Sequence, residues 1–357
     1  MIVFLADLHL HLWKDCSMNG GFDRLDDGLS VLRQSLELAQ ASNATWVFGG
    51  DLKWHRTLWH QQALNGAMAI IAKYKSVPKI MLSGQHDGVG NKNTGLRPFS
   101  RDAQIIEEPD ILTIGGETCA VWPWAPTHDR LNAFIDTARK MKARVLFAHA
   151  MLKGSAIGQS GYTSKALPLE AFGMVGRQRV FEQAFFGDNH KQQSVTPNVH
   201  YVGSPLGLKW DETDPGKGCI TYCLDTRSVK RVRMEAPQYI IIRQEHKDAV
   251  CRIKAGRLNG HFVRVVGGPW LTQSFVDEWL IARHSGIRFL QVIARPQATS
   301  SGLARGGKIH AGLTDEKLFK LYMDEDPPDE DLPRAAVLNT MLRMASEAVA
   351  PSEEVRS

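Results

Sequence analysis

Residues 1–10 read MIVFLADLHL, five apolar positions (2–6) that stop abruptly at Asp7 and are followed by His9. A short continuous apolar run of this kind is the pattern of a strand buried on both faces, as in sheets covered by helices. Working outward, residues 25–41 carry apolar side chains at helical spacing and lead to a strand at 46–48, so the chain opens with a β-α-β unit. A second unit follows, with a helix at 58–74, a strand at 79–82 and a turn at 83–87. Strands at 111–114 and 119–122 precede a helix at 131–140 and a strand at 144–148 that runs into His149. Beyond a glycine-rich loop, further strands are expected at 183–186, 200–202 and 219–224.

The next region reads strand 239–244, helix 246–255, strand 261–266, helix 271–285 and strand 287–294. After a linker by composition, 298–307 (ATSSGLARGG), two amphipathic helices are expected at 315–324 and 332–348, around an acidic proline-containing stretch at 325–331. The expected organisation is a large α/β domain over 1–235, a smaller α/β cap over 238–296, and a linker with C-terminal helices over 297–357.

Bulk properties agree with this division. At 357 residues and 43% hydrophobic content the chain supports one large core and a smaller unit, by the rule of about 150 residues per domain. The net charge of +5 and pI near 8.9 permit a polyanionic partner without requiring one. Five scattered cysteines, with Cys219 and Cys223 lacking a second pair, exclude a zinc knuckle and read as reduced cytosolic thiols. Residues 1–10 show no basic leader or cleavage site, and no stretch approaches the roughly 20 apolar residues of a membrane helix. A soluble, cytoplasmic protein is expected.

Chemistry enters through position. Asp7, Asp51, His86, His149 and Asp188 each sit at or just past the carboxyl end of an expected strand, the edge where α/β sheets bind ligands. The motifs run in order: Asp7-Leu8-His9, Gly50-Asp51, Gly84-Gln85-His86-Asp87, His149, and Gly187-Asp188-Asn189-His190. Singly, each reads as a turn aspartate or a core histidine. In series they gather carboxylates and imidazoles, the donors of a divalent-metal site. The glycine-rich stretch 154–161 lacks a terminal Gly-Lys-Ser/Thr and is no Walker loop.

The series resembles the calcineurin-like metallophosphoesterases, whose pattern is D-x-H, G-D, G-N-H-D/E, H and G-H-x-H, over about residues 1–225. The resemblance implies an αββα two-sheet sandwich with a smaller α/β capping domain and C-terminal helices. It implies two divalent ions, one held by Asp7, His9, Asp51 and His190, the other by Asp51, Gln85, His149 and Asp188. A phosphodiester is anionic, so hydrolysis needs charge neutralisation, a deprotonated nucleophile and a proton for the leaving oxygen; two metals provide the first two. By resemblance, His86 donates the proton and Asp87 orients its ring. Gln85 replaces the usual asparagine and Asp188 the usual histidine. The second site is therefore richer in oxygen, which favours manganese, with magnesium as the alternative, over zinc.

The dimetal pattern does not choose among phosphatase, small-molecule phosphodiesterase, nuclease and a decayed non-catalytic relative. Residues 200–205 (HYVGSP) and Gly216-Lys217-Gly218 resemble segments of the SbcD family of DNA-break-processing nuclease subunits, as does the helix pattern at 315–322. That resemblance implies a DNA substrate, a homodimer and a coiled-coil, SbcC-like ATPase partner docking on the C-terminal helices. The run GDNHKQQ (187–193) is similar to phage-encoded relatives, so a bacterial or infected-host cytosol is implied. Lys53 and His55 are candidate substrate contacts, as are Trp54, Trp59 and His60. Eight cations of the cap region, Lys230, Arg231, Arg233, Arg243, Lys247, Arg252, Lys254 and Arg257, are candidate phosphate contacts.

Overall fold

The computed structural model describes residues 1–13, 23–89, 93–156, 166–175, 179–214, 216–244 and 247–294. Its elements run β1 (Ile2–Leu5), α1 (Asp23–Ala41), β2 (Thr45–Phe48), α2 (Gln61–Lys73), β3 (Lys79–Leu82), the short β4 (Gly88–Val89) and β5 (Asn93–Thr94), β6 (Gln104–Ile106), β7 (Asp110–Ile114), β8 (Glu117–Trp122), α3 (Leu131–Lys140) and β9 (Val145–His149). There follow β10 (Gln183–Gly187), β11 (Gln193–Thr196), β12 (Val199–Tyr201), β13 (Gly218–Tyr222) and β14 (Val229–Arg233). The last described elements are β15 (Tyr239–Gln244), α4 (Lys247–Cys251), β16 (Phe262–Gly267), α5 (Gln273–Phe275) and β17 (Phe289–Ala294).

Two six-stranded sheets carry the site. One has the order β14-β13-β1-β2-β3-β6, the other β11-β12-β10-β9-β8-β7. Both are mixed: β1, β2, β3 and β6 run parallel, as do β8, β9, β10 and β12, while β13, β14, β7 and β11 pair antiparallel.

The continuous apolar runs are explained by burial on both faces. Along β1 and just past it, Ile2, Phe4 and Ala6 enter the core between the sheets, whereas Val3 and Leu5 face a second core built with Val31, Leu32 and Leu36 of α1 and Ala63, Ala67 and Ile71 of α2. In β9, Val145 and Phe147 face the inter-sheet core, while Leu146 and Ala148 pack with Leu131, Phe134, Ile135 and Ala138 of α3. Phe4, Phe147 and Phe185 join the sheets, with ring centroids 5.4–6.0 Å apart. The layers are helix, sheet, sheet, helix: the expected αββα sandwich.

Residues 239–294 form a separate three-stranded parallel sheet, β15-β16-β17, with its own core around Val250, Val263, Val265 and Leu280. The second helix there is shorter than expected. It begins at Thr272, whose hydroxyl accepts from the Phe275 N–H, and widens to a π-helical turn over Val276–Ile281. This sheet is tied to α1, because the Arg24 guanidinium lies over the Tyr239 and Phe262 rings and Arg288 pairs with Asp27 at 2.6 Å. The described residues all belong to one compact unit. The expected linker and C-terminal helices lie outside the described residues, as does much of the 154–161 loop. No helix among the described residues is long and apolar enough to cross a membrane.

Candidate metal centre

The carboxyl ends of β1, β2 and β3 from one sheet meet those of β9 and β10 from the other, and their loops hold one another by backbone bonds. Asp7 N–H donates to Gly50 O (2.9 Å), His9 N–H to Asp51 O (3.0 Å), and Leu10 N–H to Leu52 O (2.8 Å). Four non-glycine residues here have left-handed backbones: Asp7 (φ 55°), His9 (47°), Asp51 (61°) and Asp188 (85°). Such conformations are uncommon outside glycine and gather where surrounding structure imposes them, typically at functional sites. Gly84 is needed for close approach, since a Cβ there would lie 2.2 Å from Asp51 Oδ1 and 2.3 Å from its backbone nitrogen.

The side chains converge. His9 Nε2 is 3.0 Å from His190 Nε2. Asp51 Oδ2 lies between two imidazoles, 3.6 Å from His9 Nε2 and 3.5 Å from His149 Nε2, while its Oδ1 accepts the His86 N–H at 2.7 Å. Asp188 Oδ1 is 3.9 Å from His149 Nε2, and the Asp188 N–H donates to the Asp7 carboxylate at 3.0 and 3.2 Å. Three groupings have ligand atoms mutually close enough to hold an ion: Asp7 with His9 and His190, His9 with Asp51 and His86, and Asp7 with Asp51 and His149. Gln85, half-buried, lies in the same turn between Gly84 and His86.

Hydrogen bonding assigns the imidazole nitrogens. His149 Nδ1 faces the Gly49 carbonyl (2.7 Å), which only accepts, so Nδ1 carries the hydrogen and Nε2 turns to the acids. That Nε2 is buried and has no hydrogen-bond partner, as expected of a metal-ligand atom. His190 Nδ1 faces Glu212 Oε1 (2.9 Å), again directing Nε2 inward.

The acids call for positive charge. Burial pushes the Asp7 carboxyl up to about 7, against the pull of His149 and His190 and with added repulsion from Asp51 and Asp188. Burial likewise raises Asp188. For Asp51, burial is outweighed by His149, His9 and His86, which hold it well below the usual carboxylate range. Burial opposes protonation of His149, yet Asp51 and the other acids raise it. Buried carboxylates and inward imidazole nitrogens of this kind fit divalent cations.

The chain is similar to an archaeal phosphodiesterase. The identity is 9% and the TM-score 0.32, over 65% of this chain and 99% of that one. A protein of unknown function from Aquifex aeolicus is similar at 16% identity and TM-score 0.23, over 46% of this chain and 82% of that one. No protein-family model matches, and no curated protein matches.

Two residues have partners other than those expected. Asp87 does not orient the His86 ring: its carboxylate accepts from the backbone N–H groups of Gly84 (2.9 Å), Asp51 (2.7 Å), Leu52 (3.0 Å) and Lys53 (3.4 Å), stapling two loops together. The His86 ring donates from Nδ1 to the Trp54 carbonyl instead. Lys53, expected as a substrate contact, turns inward. It is buried, and its ammonium donates to the carbonyls of His55, Arg56 (2.7 Å) and His86 (2.6 Å).

His55 is exposed beside His60, their rings 5.0 Å apart. Trp59 is structural, donating to Gly95 O (2.7 Å) and packing on Phe99. Trp54 does border the centre, with its ring 5.3 Å from His9, 5.6 Å from His86 and 4.3 Å from Trp13. Sequence reasoning missed Glu212 altogether, because it lies 22 residues from its partner His190 in a loop without periodicity.

Proposed function

We propose that this chain is a metal-dependent phosphodiesterase acting on DNA, with manganese as its working ion. The observation that carries the reading is the convergence of Asp7, Asp51 and Asp188 with the inward nitrogens of His9, His149 and His190 at the joined rims of two sheets. Asp7, His9, Asp51 and His190 would hold a first divalent ion, and Asp51, Gln85, His149 and Asp188 a second. Such ions supply charge neutralisation for the anionic ester and lower the pKa of a water nucleophile. The amide of Gln85 and the carboxylate of Asp188 make the second set oxygen-rich, which supports manganese or magnesium over zinc.

His86 is the proton donor in this reading. The Trp54 carbonyl holds its Nδ1–H, which orients the ring and leaves Nε2 to carry a proton to the leaving oxygen. Trp54, beside His9 and His86, and Trp13, packed on Trp54, offer aromatic faces on which unpaired bases can stack. DNA as substrate is supported by this aromatic surface, by the resemblance of 200–205 and 216–218 to the SbcD family, and by the eight cations of the cap region, all exposed. A coiled-coil ATPase docking on 297–357, a homodimer and a cytosolic location belong to the same proposal and are supported by the sequence resemblance alone.

The test is hydrolysis of end-labelled single- and double-stranded DNA, beside a chromogenic phosphodiester, by metal-stripped protein given manganese, magnesium or zinc. Manganese-stimulated DNA degradation is expected. Hydrolysis of the small ester only would replace the nuclease reading by a small-molecule phosphodiesterase. Neither activity nor bound metal would mark a non-catalytic protein.

A further inference from the structure

The segments 200–205 (HYVGSP) and 216–218 (GKG) hold no metal-ligand candidate, yet in the structure they close around one. Glu212 Oε1 accepts from His190 Nδ1 at 2.9 Å. Its other oxygen, Oε2, accepts from Ser204 Oγ (3.1 Å), the Leu208 N–H (3.0 Å) and Lys217 Nζ (3.2 Å). Lys217, itself buried, donates in addition to Ser204 Oγ (2.8 Å) and to the carbonyl of His190 (3.1 Å). One ammonium thus ties the backbone of His190 to the carboxylate that holds its ring.

Gly203 permits this closeness. Its φ is +72°, and a Cβ there would lie 2.6 Å from Gln192 N and 2.9 Å from His190 O. Ser204 N–H donates to that same carbonyl at 3.1 Å. The motif residues therefore act in sequence, with Gly203 allowing the approach, Ser204 and Lys217 holding Glu212, and Glu212 holding the ring.

The imidazoles differ in what backs them. His149 Nδ1 donates to a neutral carbonyl, and His9 Nδ1 has no hydrogen-bond partner. Only His190, of these three, is backed by a carboxylate. A carboxylate on the far nitrogen fixes the tautomer and makes the near nitrogen a stronger donor to a cation.

We infer that Glu212 is a positioning residue that acts through His190 to make the Asp7, His9 and His190 site the tighter of the two cation sites. This rests on the metal-centre reading above. The test is manganese titration of the metal-stripped full chain by calorimetry, with bound ion counted by electron paramagnetic resonance, for wild type, Glu212→Gln and Glu212→Ala.

The wild type is expected to bind two ions of unequal affinity. Glu212→Ala should weaken the tighter one about 10- to 100-fold and leave the other unchanged. Glu212→Gln keeps an acceptor oxygen but loses the charge, and should fall between. If Glu212→Ala does not fold, the Gln variant carries the test alone. Equal affinities in wild type and variants would overturn this inference and leave the metal centre standing. Both ions weakening together, in step with melting temperature, would overturn it in favour of a purely structural role. No ion bound by wild type would overturn both readings.

Discussion

The joined rims of the six-stranded sheets and the three-stranded sheet of residues 239–294 begin from the same ingredients, apolar strands paired in parallel and covered by helices. They end differently. At the large rim the chain leaves its strands through left-handed aspartates and a histidine and gathers three carboxylates, two of them buried, among imidazoles. In the small sheet every positive φ among the described residues belongs to a glycine, and no group of three metal-ligating side chains occurs. Left-handed non-glycine residues and buried charges both destabilise a fold, on the order of 1–3 kcal/mol for each strained residue. A rim that concentrates them, offset by three apolar cores, is organised for chemistry. A sheet without them is organised for shape and surface.

The largest expected effect breaks the comparison if absent. Asp51→Asn should lower phosphodiester hydrolysis about 10³-fold or more, because several kcal/mol of transition-state stabilisation pass through the carboxylate between His9 and His149. Val292→Ala on the small sheet, at a position 37% exposed, should leave hydrolysis of the chromogenic ester unchanged. Equal losses in both variants would erase the distinction between the two regions.

Next in size, His86→Ala should cost about 10²- to 10⁴-fold in turnover with bound metal unchanged. Loss of an ion would instead place His86 among the ligands, as its grouping with His9 and Asp51 permits.

Asp87→Ala should destabilise the protein by roughly 1–3 kcal/mol, since it strips acceptors from buried N–H groups of two loops. The urea midpoint reads this. An activity loss at unchanged midpoint would restore the pairing of Asp87 with the His86 ring.

A pH-dependent effect lies away from the rim, on β12. Burial, aided by Arg231, holds the His200 imidazole down to about 4 from an ordinary 6.5. As pH falls from about 6.5 to about 4 the unfolded chain takes up this proton and the folded chain does not, so this part of the stability is lost over that window. His200→Gln should flatten that part of the pH–melting curve. A gap between wild type and variant that stays constant from pH 7 to pH 4 would contradict it.

Much of the fold was legible because its signals are local. The strand Lys79–Leu82, the helix Leu131–Lys140 and the strand Tyr239–Gln244 fall where periodicity put them. Their neighbours shift by one to four residues at the ends, where periodicity constrains the chain least. Three edge strands were not legible, among them Gln193–Thr196, which pairs with β12 alone. Gln104–Ile106 is short, and Val229–Arg233 (VKRVR) is rich in charge; each is a strand only because an exposed sheet edge offers it backbone partners.

The same division runs through the centre. Which residues stand at strand ends could be read from the chain's order alone, because apolar runs and the charged residues that stop them are features of neighbouring positions. Asp7, His9, Asp51, His149, Asp188 and His190 belong to that class. What each of them backs onto was settled by folding. Folding turned Asp87 from ring orienter into loop staple, buried Lys53 under three carbonyls, and brought Glu212 and Lys217 behind His190. Those roles depend on where buried donors and acceptors find partners, and a partner is chosen in space, across tens of residues of chain.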